Sequence, residues 1–161
     1  MVLVYLSLGS NIENRDAFLA HARQAIKDSF ISVRFSNVYE TEPVDMTDQP
    51  WFLNQVAEVQ TEMEPNSLLE WVRALEAKSG RQRKVPKGPR TLDVDILLYG
   101  DWLIVEDHLE IPHPRMAQRR HVLIPLSDLA PGLEIPGIQE TVQEALKQLC
   151  DSSQVKIHAP S

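Results

Sequence analysis

Residues 92–98, Leu92-Asp93-Val94-Asp95-Ile96-Leu97-Leu98, set two acids into an otherwise apolar run. A strand repeats every second residue, so Thr91, Asp93 and Asp95 share one face while Leu92, Val94, Ile96 and Leu98 take the other. A continuously apolar face belongs to an internal strand, and its acidic face must then point at something. Neighbouring carboxylates repel unless a cation sits between them, and Mg²⁺ takes one or two carboxylates plus substrate phosphates. An isolated Asp-x-Asp suits a solvated strand face equally well, because short motifs recur by chance. The preceding segment, 81–90, tips the balance. It carries Arg81, Arg83, Lys84, Lys87 and Arg90 with no acid, punctuated by Pro86, Gly88 and Pro89. Arginine forks match phosphate oxygens bidentately. There is no G-x-x-x-x-G-K-[ST], so side chains and metal must replace a phosphate-cradling backbone loop. The juxtaposition reads as a site for a magnesium–nucleotide complex.

The rest of the chain narrows the class. Its 161 residues make one domain, 1–161, with length enough for a core. A net charge of −7 argues against broad binding to nucleic acid, which needs a basic field, and makes the 81–90 cluster a local feature. One cysteine, Cys150, excludes an internal disulfide and fits a reducing compartment. The start lacks the basic region of a signal peptide, and no apolar stretch reaches the ~20 residues that span a bilayer. A cytoplasmic protein without membrane or nucleic-acid partners is expected, with nothing to suggest an obligate partner, hence a monomer.

Patterning supplies the elements. Residues 2–8 are almost wholly apolar, like a central strand, and Gly9-Ser10-Asn11 ends it. Phe18, Ala22, Ala25 and Ile26 predict a helix over about 13–28. Ile31, Val33 and Phe35 alternate as a half-buried strand, the loop 41–50 is long enough to be functional, and 52–62 alternates again. Pro65 opens a second helix with the stripe Leu68, Val72 and Leu75, stopped at Gly80. After the acidic strand come a short strand at 102–105, a proline-rich region at 112–136, and a helix near 141–149 with Thr141 and Glu144 at capping-box spacing. The order β-α-β-β-α-β predicts an α+β, ferredoxin-like fold: an antiparallel sheet with helices packed on one face and C-terminal additions. That fold hosts many functions and settles none.

Three further groups carry possible chemistry. His113 lies between Pro112 and Pro114, with Arg115, Arg119 and Arg120 following, a rigid donor among arginines that suits an anion. Glu76 falls on the inward stripe of the second helix, where a carboxylate needs a partner, either an arginine or a nucleotide hydroxyl. Asp48 to Asn54 joins the aromatic pair Trp51 and Phe52 to an amide. Most aromatics are core, but asparagine is depleted in strands, and ring plus amide is the equipment for a flat heterocycle.

Taken together, Leu6-Ser7-Leu8-Gly9-Ser10-Asn11, Asp48-Gln49-Pro50 through Asn54, Gly88-Pro89-Arg90-Thr91-Leu92-Asp93-Val94-Asp95-Ile96-Leu97, Pro112-His113-Pro114-Arg115-Met116, Pro125-Leu126 and Ala130-Pro131 resemble the 6-hydroxymethyl-7,8-dihydropterin pyrophosphokinase family of folate biosynthesis. The resemblance runs through nearly the whole chain. It implies transfer of the β,γ-diphosphate of ATP to the pterin hydroxymethyl group, giving the pterin diphosphate and AMP, on a ferredoxin-like fold with two Mg²⁺ ions. It implies that Asp93 and Asp95 hold both metals. Arg81, Arg83 and Arg90 would grip phosphates from a mobile loop or its root, and His113 and Arg119 would contact phosphates or ribose. Glu76 would face the nucleotide. Asn54 would read the pterin edge, Phe52 would stack on it, and backbone groups from Thr41 to Val44 would add hydrogen bonds. Arg81, Arg90, Asp93 and Asp95 are thus the catalytic candidates.

Two departures from the family pattern stand out. The position of His121 usually holds phenylalanine, the second slice of the pterin sandwich, and imidazole stacks more weakly and titrates near neutrality. Some members carry tryptophan where this chain has Lys87, in a loop one residue longer. A non-catalytic RNA-binding module of the same fold would need the pattern K/R-G-F/Y-G/A-F-V-x-F/Y, which is missing here. A phosphohydrolase using the same aspartates with water is the other alternative.

Overall fold

A computed structural model describes residues 1–12, 14–43, 48–79 and 91–158. Strand β1 (Val2–Ser10) leads to helix α1 (Arg15–Ser29), then β2 (Ser32–Phe35), β3 (Tyr39–Thr41) and β4 (Phe52–Thr61). Helix α2 (Pro65–Lys78) precedes β5 (Asp93–Tyr99), the hairpin β6 (Ile104–Glu106) and β7 (Leu109–Ile111), and a 3-10 turn at Met116–Gln118. Helix α3 (Arg120–Leu129), β8 (Glu134–Ile135), β9 (Glu140–Thr141), α4 (Val142–Lys147) and β10 (Val155–Ile157) complete the chain.

The main sheet is antiparallel, ordered β10-β3-β4-β1-β5, with β2 pairing the other half of the β4 edge that β3 uses. Among the described residues the acidic strand β5 is therefore at the sheet edge, not internal as expected: its apolar face is buried by α2 rather than by position within the sheet. Taking β2 and β3 as one interrupted strand recovers the expected βαββαβ arrangement. β3 and β10 were not expected in the main sheet: three residues show no period, and no glycine turn flanks them as Gly100-Asp101 flanks β6. Pro65 stands at the first turn of α2, and the Thr141–Glu144 capping box forms in full at the start of α4.

Both faces of the sheet are covered, for different reasons. Leu19, Ala22 and Ile26 of α1 and Leu68, Val72 and Leu75 of α2 bury against Val4, Leu6, Leu8, Ala57, Val59, Val94 and Ile96. These two helices lie on one face, as the βαββαβ pattern requires. The C-terminal additions take part of the other: Val122, Leu123 and Leu126 of α3, with Val142 and Ala145 of α4, pack on Tyr5, Val56, Leu97 and Leu98. Strict alternation puts Leu98 with Leu92, Val94 and Ile96, but it lies on the opposite side. The register shifts between Tyr5 and Leu6, so Tyr5 pairs with Leu98 while Leu6 pairs with Ile96. One extra residue, Leu97, turns the rest of β5 over, as a bulge does. Leu97 and Leu98 thereby become the seat for α3 and α4.

Candidate active site

The additions leave the upper half of their face open, and the acids sit there. Asp93 pairs across the sheet with Gly9, and Asp95 with Ser7. On the other side of β1, Gly9 pairs with Asn54, and Asn54 in turn pairs with Tyr39. The floor of the cleft is therefore a row of side chains on adjacent strands, with small residues on β1 between the amide and the acids. The smallness matters: a Cβ at Gly9 would come within 2.9 Å of Asn54 Oδ1.

Ser7, Gly9, Thr41, Glu42, Pro43, Gln49, Phe52, Asn54, Asp93, Asp95, Leu97, His113, Arg119, His121 and Val122 line this cleft. Eight expected site residues thus converge: Thr41, Phe52, Asn54, Asp93, Asp95, His113, Arg119 and His121. They come from five separate parts of the chain. Val44, Arg81, Arg83 and Arg90 lie outside the described residues. Glu76 is placed differently. It is buried under β5, and its Oε2 accepts the Val94 N–H at 2.9 Å, tying α2 to the strand between the two aspartates.

Each wall is held by identifiable bonds. Asn54 Nδ2 donates to Thr41 Oγ1, both residues being buried, which fixes the amide facing the cleft. Asn11 Nδ2 donates to Gln49 Oε1 (2.8 Å) and to the Pro50 carbonyl (3.0 Å), anchoring one end of the 41–50 loop. Arg15 steadies the same end, donating to the Trp51 carbonyl at 2.9 Å and pairing with Glu40. The His113 N–H donates to the Leu97 carbonyl at 3.0 Å, so the histidine hangs from the acidic strand.

Burial and neighbouring charges set the state of His113. Burial, with Arg119 and Arg115 nearby, pushes the His113 imidazole below its ordinary value, while Asp93 opposes the shift. The neutral ring results. Its Nδ1 accepts from the Arg115 N–H at 3.3 Å, which assigns the remaining proton to Nε2, a donor. A second, shallower groove lies on the far side of β5, lined by Leu69, Val72, Val94, Ile96, His108, Leu109 and Glu110 among others, and it shares Asp95 and His113 with the cleft. Asp95 stands where the grooves meet, with Asp93 on the cleft side.

Asp93 and Asp95 are half-buried carboxylates on one face, opposite a glycine and a serine that leave room above them. Among the described residues no group of three or more His, Cys, Asp or Glu is placed to hold a metal ion. Two carboxylates completed by substrate oxygens is nevertheless the donor set that Mg²⁺ accepts, so the residues fit that ion. Ser7, Gly9, Gln49 and Leu97, present in the family motifs but given no role from sequence, also line the cleft, as does Val122, which no motif included. One signal was present: Ser7 and Gly9 are small residues at every second position of an otherwise bulky strand.

The profile of the 7,8-dihydro-6-hydroxymethylpterin-pyrophosphokinase (HPPK) family matches residues 5–131. The chain belongs to this family. It is 42% identical over 151 residues to the 2-amino-4-hydroxy-6-hydroxymethyldihydropteridine pyrophosphokinase of Methylorubrum extorquens, covering 92% of this chain and 94% of that one. The Haemophilus influenzae enzyme of the same name is 37% identical over 160 residues, covering 98% and 99%. A folate synthesis bifunctional protein of Arabidopsis thaliana is 46% identical over 128 residues, 78% of this chain and 26% of that protein. Among solved structures, Plasmodium falciparum HPPK-DHPS superposes with a TM-score of 0.73 over 92% of this chain and 43% of that one, at 16% identity, which speaks to the fold. As a member of the HPPK family the chain is a transferase, a pyrophosphokinase of folate synthesis. Among the described residues, no helix is long and apolar enough to cross a membrane.

Proposed function

We propose that this chain transfers the β,γ-diphosphate of ATP to the hydroxymethyl oxygen of 6-hydroxymethyl-7,8-dihydropterin with Mg²⁺ present, and that it acts as a cytoplasmic monomer. The observation that carries this reading is the convergence of an amide, an aromatic ring, two acids, two histidines and an arginine on one cleft. Asn54 and Thr41 offer donors and acceptors to the edge of a flat heterocycle, with backbone groups toward Val44 adding to them. Phe52 and His121 flank its faces. His113 and Arg119 meet phosphate oxygens beside the acids, and Arg81, Arg83 and Arg90 supply further cations for the same phosphates.

The nucleotide occupies the groove beyond β5, its base between Leu69, Val72 and Leu109, its triphosphate crossing toward Asp95 and His113. Glu76 supports that side from beneath by fixing Val94. Asp93 and Asp95 would hold two Mg²⁺ ions, which supply charge neutralisation and alignment at the phosphates. The pterin hydroxyl attacks the β-phosphorus, AMP departs with the α,β-bridging oxygen, and the hydroxyl proton passes to solvent. Such a transfer needs positioning and charge compensation rather than a side-chain nucleophile. Closure over ATP excludes water that would otherwise compete.

The test is purified protein with ATP, MgCl₂ and the hydroxymethyl pterin, with nucleotide products separated by chromatography. AMP release that depends on pterin is expected. ADP as product, or steady ATP consumption without pterin, would refute the reading and favour a simple kinase or a phosphohydrolase. Light scattering at assay concentration checks the monomer.

A further inference from the structure

Residues 150–158 lie beyond the stretch matched by the family profile, yet they reach both walls of the cleft. One wall is Thr41, Glu42 and Pro43, at the end of β3. The other is Arg119, His121 and Val122, at the start of α3. The Asp151 carboxylate accepts from the Arg120 N–H (3.2 Å) and from the Ser153 N–H (2.8 Å), and the Arg120 guanidinium donates to the Ser153 carbonyl (3.1 Å). Immediately afterwards the segment crosses to the opposite wall. The Glu42 N–H donates to the Gln154 carbonyl (3.0 Å), the Gln154 N–H to Glu42 Oε2 (3.3 Å), and Val155 pairs with Thr41 as β10 extends the sheet.

We propose that Asp151 to Val155 is a tie that sets the distance between the two walls of the pterin cleft, with Asp151 the positioning residue for His121. This rests on the reading of the cleft as a pterin site. Helix α3 shows why a tie matters. Its far end is already anchored, because Asp128 accepts from the Tyr39 hydroxyl (2.9 and 2.8 Å) and from the Asn37 N–H (3.2 Å). Ten residues of helix extend about 15 Å, so a swing of roughly 4° about that anchor moves the first turn by about 1 Å. Displacements of that size degrade substrate positioning. Asp151 ties the other end, at Arg120, to the 153–155 segment. Burial works against its ionisation, but the Ser153 and Arg120 donors and the charge of His121 outweigh this and keep the carboxyl below its ordinary value. The strap is also local in sequence: four residues carry a bond from one wall to the other.

Asp151→Ala and Asp151→Asn, compared with wild type, test the tie in two independent ways. Kinetically, Asp151→Ala raises the KM for pterin roughly tenfold while kcat and the KM for ATP each stay within threefold, and Asp151→Asn, which keeps an acceptor oxygen, recovers most of the loss. Proportional changes in all three constants, tracking a lowered melting temperature, would mark general destabilisation and overturn the proposal. By hydrogen exchange, Asp151→Ala speeds exchange of the Glu42 amide on the far wall together with that of Leu123 in α3. A Glu42 amide protected as in wild type overturns the tie whatever the enzyme assay gives. Wild type that makes no AMP refutes the pterin reading instead, and the exchange experiment still decides whether the walls are joined.

Discussion

Gly9→Ala probes the cleft through its floor. Gly9 sits in β1 between Asn54 and Asp93, and its backbone φ is not positive, so alanine meets no backbone strain there. The added Cβ meets Asn54 Oδ1 at 2.9 Å, Phe52 Cδ1 at 3.7 Å and the Leu53 carbonyl at 3.8 Å. Only the first contact is intolerable, and the Asn54 amide must turn away. Turning breaks its bond to Thr41 Oγ1, a loss of about 1 kcal/mol. A side chain held off its rotamer costs about 0.5–1.5 kcal/mol more. Replacing glycine inside a strand returns about 0.5–1 kcal/mol by restricting the unfolded chain. The net destabilisation is about 1 kcal/mol, which lowers the melting temperature of a domain this size by about 2–4 °C. Binding suffers far more. An Asn54 that no longer faces the heterocycle leaves its edge groups unpaired, at about 1–3 kcal/mol, so pterin affinity falls about ten- to hundredfold. Calorimetric titration with pterin, beside a thermal melt, measures both quantities. Pterin affinity within twofold of wild type, with the fold intact, would refute the placement of Asn54 at the pterin edge.

Other perturbations address the remaining parts. Asp93→Ala and Asp95→Ala should each lower pterin-dependent AMP release by roughly 10³-fold or more with melting temperature little changed, and chelation of Mg²⁺ should stop wild type in the same assay; near-normal turnover in either variant would remove it from the metal site. Glu76→Ala leaves the Val94 N–H buried without this acceptor and should cost about 1–3 kcal/mol in urea unfolding, while Glu76→Gln, which keeps an acceptor oxygen, should cost less. The Glu58 carboxyl is held below its ordinary value, chiefly by the hydrogen bond from Arg34, against the opposing effect of burial. A depressed folded-state value adds stability that is present above the unfolded value of about 4.3 and is lost as pH falls through the folded one. Wild type should therefore exceed Glu58→Gln in stability at pH 7, and in urea melts the gap should narrow as pH falls below about 4.3 and close once pH is below the lower folded value. A gap that persists at low pH would show that the pair acts through packing rather than charge.

The legible parts of this chain are those where one local rule dominates. Alternation along 92–96 shows a strand with one apolar and one functional face, but not its place in the sheet: β5 is an edge strand, paired with β1 alone among the described residues. The Pro65 and Thr141–Glu144 signals mark helix starts that form as read. Those residues act through backbone geometry within a few positions, so their meaning survives without knowledge of neighbours. Glu76 marks the limit. Its place on an inward stripe requires a partner, but the stripe is silent on whether that partner is an arginine, a ligand or, as here, the backbone of Val94. Leu98 fails for a similar reason: its face is set by a register shift against β1, and register is a property of two strands.

The amino-acid order alone determines which residues form the helices and the acidic strand, because periodicity and turn chemistry act over a few neighbours. Tertiary structure alone decides that Thr41, Asn54, Gly9 and Asp93 share one floor, that α3 and α4 cover only half of that face, and that the tail from Asp151 returns to join the walls. These contacts span tens of residues of chain. They are selected by the burial of Leu97, Leu98, Leu123 and Leu126 against one another, a long-range packing choice that no short stretch of sequence carries.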